Sequence, residues 1–144
     1  MHAQPDIEPL PGDRYRLRRD HLYEWEHTSD GASTRYRLGV PAGFVYDGAS
    51  VPRLLWTITG YLPDGLQREA ALLHDWLYVH EGAPPPPSYR VFAEEGWEDC
   101  PEVWTREAAD RLFGRLMREA GVPKLRRRLA YRAVRLWGWL YWRG

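Results

Sequence analysis

The chain has a single cysteine, Cys100. That excludes an intrachain disulfide framework and any metal site assembled from several cysteines. No run of about 18 apolar residues exists, so no segment reads as a membrane-spanning helix. There is no net charge either, with 20 Lys and Arg against 20 Asp and Glu. Bulk electrostatics therefore favours neither nucleic acid nor an acidic partner, and nucleic-acid binding is not expected. The opening MHAQPDIEPLPGD lacks a basic region followed by an apolar stretch, so it does not read as a signal peptide. Synthesis in a cytoplasm is the expectation.

What the chain does have is tryptophan and tyrosine, eight and nine among 144 residues, together with enough length for one domain spanning 1–144 with a core of its own. Residues 1–13, with three prolines and a glycine, read as an irregular lead-in. From 14 to 46 apolar residues alternate with polar ones, as with Tyr15 and Leu17 between arginines and again at Tyr36, Leu38 and Val40. This predicts a small antiparallel hairpin or three-stranded meander turning at Thr28 to Gly31. Residues 47–142 read as the helical part. Pro52 is placed to open a short helix through Ile58, with Ser50 as its N-cap.

The stretch Leu66 to His80, LQREAALLHDWLYVH, is apolar nearly all round and so predicts a helix buried in the middle of the domain. Four prolines (84–87) follow as a stiff spacer. The connection 82–104 reads as irregular and acidic, either a lid or binding loop or an insertion without a role. Thr105 caps a helix from Arg106 to Ala120, whose buried stripe includes Phe113 and Met117 and has Asp110 at its edge. Gly114 leaves room there for a close approach. The last helix runs from Lys124 to about Trp142. Leu125, Leu129, Ala133, Leu136 and Leu140 are its expected buried face, widened by Val134, Trp137 and Tyr141, with arginines opposite. The fold class is α+β: a small N-terminal antiparallel sheet, then about three helices with a long Pro-rich loop.

Candidate chemistry lies in the central helix. His74 and Tyr78 are four apart and share a face, while Asp75 sits about 100° round from His74. Burying such groups requires partners. Two explanations fit. A carboxylate from another helix can orient His74 as a general base, or the group can be a satisfied packing network.

Three segments in order, YDGASVPRLLW, REAALLHDWLY and REAADRLFGRLM, followed by YRAVRLWG in the last helix, resemble a domain-of-unknown-function family, number thirteen fifty-three, found widely in tailed phages and prophages. The resemblance covers roughly Arg35 to Gly138. It implies a phage or prophage origin, a protein made in the host cytoplasm and open to association with virion or tail proteins. It carries no activity. His-Asp-x-x-Tyr on a helix, with a second Asp from a neighbouring helix, also resembles the core of secreted phospholipases A2. That likeness implies His74 as base, Asp110 orienting it, Tyr78 supporting, and Asp75 binding a cation. The disulfides and the cysteine-bearing calcium loop of those enzymes are missing, leaving only the Asp47-Gly48 turn in the loop's place.

Three functional readings follow. In the first, the chain is a hydrolase of cell-envelope material, with His74, Asp110 and Tyr78 catalytic, Asp75 and Asp47 holding a divalent cation, and Ser50 touching substrate. In the second, it is a virion- or tail-associated structural protein whose cluster is a buried network. In the third, it is an interaction module. Arg128, Arg132 and Arg135, with Trp139 and Trp142 among them, would form an aromatic and basic face suited to an anionic membrane surface or an acidic partner.

Overall fold

The structure, a computed structural model, describes residues 4–47 and 67–142. Along the chain come strands β1 (Ile7–Leu10), β2 (Arg14–Leu17), β3 (His21–Ser29), β4 (Ala32–Val40) and β5 (Val45–Tyr46). Helix α1 (Arg68–Val79), strands β6 (Tyr89–Ala93) and β7 (Gly96–Asp99), and helices α2 (Arg106–Glu119) and α3 (Lys124–Trp137) follow, with a 3-10 turn at Gly138–Leu140. The class is α+β. Ser50 and the short helix expected through Ile58 lie outside the described residues.

The strands form two antiparallel sheets, ordered β1-β2-β5 and β3-β4-β6-β7. In β2, Tyr15 and Leu17 are buried while Arg14 and Arg16 are exposed, as alternation requires. The β3–β4 hairpin closes through a two-residue loop, Asp30-Gly31, between paired Ser29 and Ala32. Both loop residues have positive φ (51° and 78°), the conformation whose twist matches the flanking strands.

Strand also occurs well outside the expected 14–46. The lead-in contains β1, which pairs with β2 from Ile7↔Leu17 to Leu10↔Arg14. Pro9 does not prevent this, because β1 is an edge strand and a missing N–H is tolerated there. The connection 82–104 is not irregular: β6 pairs with β4, and β7 pairs back on β6. Its sequence alternates too weakly to announce this. Tyr89 is held by Trp25, Tyr36 and Trp104 around it rather than by a regular pattern of its own.

α1 runs through the middle. Every residue from Glu69 to Tyr78 is buried. At its exit Glu81 and Gly82 both have positive φ, 50° and 83°, and Gly82 N donates to Leu77 O at 2.9 Å, closing the helix end. A Cβ at Gly82 would collide with the Trp104 carbonyl. α2 starts where expected, with Thr105 Oγ1 accepting from Ala108 N at 3.0 Å. It buries Ala109, Asp110, Leu112, Phe113, Leu116 and Met117.

α3 departs most from expectation. It buries the expected Ala133 and Val134 together with Ala130, whereas Leu125 and Leu136, also predicted to face the core, are 70% and 63% exposed. The helix is turned so that its small residues and its Arg135 edge face α2. The reason is polar. Asp110 takes a hydrogen bond from Arg135, and Arg106 donates to the carbonyls of Val134 and Arg135. Gly114 fills its role at the same interface, since the Tyr131 ring of α3 lies 3.3 Å from where its Cβ would be, a tight contact.

Candidate functional site

The buried polar centre is Asp110. Its residue is 0% exposed, yet four donors from three helices converge on it. On Oδ1, His74 Nε2 approaches to 2.6 Å and the Tyr78 hydroxyl donates at 2.5 Å, both from α1. On Oδ2, Arg135 Nη1 of α3 donates at 2.7 Å. Arg106 Nη1, one turn earlier on α2, donates at 3.4 Å. Arg106 is itself fixed, donating to Val134 O at 3.1 Å and Arg135 O at 3.2 Å near the end of α3. A cation at a helix C-terminus is stabilising in its own right.

Electrostatics follows from this geometry. Burial alone would push the Asp110 carboxyl up, but the hydrogen bonds from His74, Tyr78 and Arg135 outweigh it and hold the group below its ordinary value. Burial pushes His74 down despite Asp110 beside it, so the imidazole is neutral at pH 7. An ionised carboxylate only accepts, so the proton of that neutral ring sits on Nε2. Burial, then the Asp110 hydrogen bond, pushes the Tyr78 hydroxyl well up. The set is an ionised acid, a neutral imidazole, a phenol and two guanidinium groups, with the acid's lone pairs occupied.

The expected triad of His74, Asp110 and Tyr78 is therefore brought together. The cluster is closed at its His74 end, while Arg106 and Arg135 on the far side are partly exposed. The His74 side chain is 0% exposed, with the Tyr78 and Phe113 rings 4.2 and 4.7 Å from it, centroid to centroid. Gly138 abuts the cluster: a Cβ there would sit 2.5 Å from the Tyr78 hydroxyl oxygen. Three clefts formed by the described residues are all lined by other side chains. The largest, about 520 Å³, lies between Trp25, Tyr36 and Tyr89 of the four-stranded sheet and Arg111 and Arg115 of α2.

The expected cation ligands lie on different elements. Asp75 is buried in α1 and Asp47 follows β5, half-buried. Among the described residues no three His, Cys, Asp or Glu side chains are placed to hold a metal ion. Ser50 lies outside the described residues. The expected interaction face divides. Arg128, Arg132 and Trp139 are exposed, but Arg135 turns inward to Asp110 and Trp142 packs edge-on against Tyr78, centroids 4.9 Å apart.

The sequence reading missed Arg106 and Arg135 as members of the cluster. The available signal was Arg106-x-x-x-Asp110, an i,i+4 pair whose acidic member sits on the apolar stripe. It also missed the buried pair of His21 and Glu69, 2.6 Å apart, which ties β3 to the start of α1. There the signal was a glutamate in a helix with no solvent face.

No curated protein and no solved structure matches this chain. One family does, described as Protein of unknown function (DUF1353), over residues 20–134. That span runs from just before β3 into α3 and takes in His74, Asp110 and Arg106, and the chain belongs to this family.

Proposed function

We propose that this chain is a non-enzymatic structural and interaction protein of phage or prophage type, in which the His74–Asp110 cluster is a clasp holding three helices and α3 carries the outward interaction face. One observation carries the reading: Asp110 has no exposed surface and takes its donors from α1, α2 and α3 at once. A carboxylate so occupied has no lone pair left for a substrate or a metal ion. A base must also reach the proton that it abstracts, and His74 is enclosed by Tyr78, Phe113 and Asp110. The phage assignment rests on the resemblance of the three ordered motifs.

A hydrolase of cell-envelope material remains the second reading, favoured by one feature. Asp110 holds a neutral His74 at 2.6 Å, as an orienting carboxylate holds a general base. That reading requires the helices to part for substrate.

Unfolding measurements on His74→Ala and Asp110→Ala separate the two. Removing one member of a buried charged network costs about 3–5 kcal/mol, which for a chain of this length lowers the Tm by roughly 10–17 °C. The clasp predicts that loss in Asp110→Ala. A His74→Ala protein that melts like wild type but loses hydrolysis of lipid or peptidoglycan would establish the enzyme instead.

A further inference from the structure

α3 carries its leucines on the outside. Leu125 and Leu136 are 70% and 63% exposed, and Trp139 and Leu140 are 59% and 52% exposed. Leu125 and Leu136 are three turns apart and nearly in line. With half-buried Leu129 they form a stripe about 16 Å long at 1.5 Å per residue, and Leu140 follows in the 3-10 turn. Monomeric proteins rarely leave large apolar side chains lined up in this way open unless something binds them. The clasp turned them outward by drawing Arg135 in, so the exposure is built into the fold.

The cations are placed around that stripe. Lys124 and Arg128 are exposed along one flank, Arg126 is exposed on the other, and Arg132 is exposed between them. No acidic residue occurs from Lys124 to Trp142. We infer that this face docks on an anionic membrane surface, with α3 lying in the plane of the headgroups, its leucines and Trp139 at the acyl boundary and its arginines on lipid phosphates. The inference rests on the reading of α3 as an interaction face and names its partner.

Arg132 decides among the occupants. It falls within the apolar stripe, close in angle to Leu125 and Leu136. In a dry protein groove its guanidinium would be buried and would demand a matched carboxylate. Against a second copy of α3 it would meet another basic face. At headgroup depth the long side chain reaches phosphates while its stem stays with the leucines.

The test is co-sedimentation with vesicles of phosphatidylcholine alone and of phosphatidylcholine with an equal share of phosphatidylglycerol, at low and high salt. The expected result is binding to the anionic vesicles only, weakened by salt. Leu136→Glu should abolish it, and Arg128→Gln with Arg132→Gln should weaken it about tenfold or more. Melting curves of the variants should match wild type, since these side chains point out of the core. Equal binding to both vesicle types, or unaltered binding by the variants, would overturn the inference. Sedimentation velocity on wild type and Leu136→Glu separates the two levels of failure. Self-association that the variant loses, without lipid binding, would overturn the lipid and keep the interaction face. Neither lipid binding nor self-association would overturn both.

Discussion

At the scale of single residues, the molecule is arranged around the proton inventory of Asp110 and His74. The folded state holds Asp110 below its ordinary value of 3.8 and His74 below its ordinary value of 6.5. Both shifts have the same sign for stability. As pH drops below 6.5, His74 in the unfolded chain takes up a proton that the folded protein refuses, and stability falls. It falls again as pH drops below 3.8 and the unfolded chain protonates Asp110 first. Stability should thus rise with pH through both windows and level off above 6.5. Denaturant unfolding across pH for wild type and His74→Gln checks this. The variant should lose the slope on the imidazole side while keeping the carboxylate side. An unchanged slope in the variant would assign the titration to another group, such as His80, whose value burial also lowers.

These two residues were readable in the sequence because they stand out against an apolar helix and an apolar stripe. Arg106 and Arg135 were not. An arginine on an amphipathic helix normally belongs to the solvent face, and only the tertiary approach of α3 to Asp110 makes it a buried donor. Tyr23 behaves similarly. Its hydroxyl reaches Glu119 at 3.0 Å across 96 positions of sequence, and burial pushes it up to about 12.

At the scale of elements, local signals succeeded where the cause of structure is local. Thr105 is the clearest case. Its side chain caps α2 as its place in the sequence predicts, and Thr105→Ala should lower stability by about 1 kcal/mol. Gly82→Ala should do more damage. Residue 82 combines a φ of 83° with a Cβ position that overlaps the Trp104 carbonyl, while Trp104 N donates to Gly82 O at 2.8 Å. Backbone strain of order 1–3 kcal/mol adds there to the clash. Chemical denaturation of the two variants side by side should rank Gly82→Ala as clearly the less stable. The reverse ranking would mean that the junction of α1 with the β7–α2 connection is looser than its geometry. Where structure has a distant cause, local signals failed. Strands β6 and β7 exist because β4 offers an edge and Trp25, Tyr36 and Trp104 offer rings to Tyr89. β1 exists because β2 has a free edge for a proline-bearing segment.

At the scale of the whole molecule, the core is assembled from two sheets and α1, with α2 and α3 clamped on through polar contacts as well as apolar ones. The α+β class and the central position of α1 were legible, since an all-apolar helix must be covered on every side. The outward turn of α3 was not. Its leucine periodicity predicts a buried face, and the overriding term is the need of buried Asp110 and Arg106 for their partners on α3. A local pattern and the final packing disagree at this one helix, and natural sequences keep such disagreements chiefly where function requires them.

In the function proposed above, His74 is enclosed by the folded protein and acts by packing. Modification of histidines by diethyl pyrocarbonate, read out by peptide mass spectrometry, tests it directly. His27 is exposed on β3 and provides the internal standard, whereas the side chain of His74 has no exposed surface. Enclosure predicts rapid modification of His27 and none at His74 until denaturant unfolds the chain. Modification of His74 in the native protein at a rate comparable to that of His27 would contradict it, and would mean that the helices open to admit a substrate.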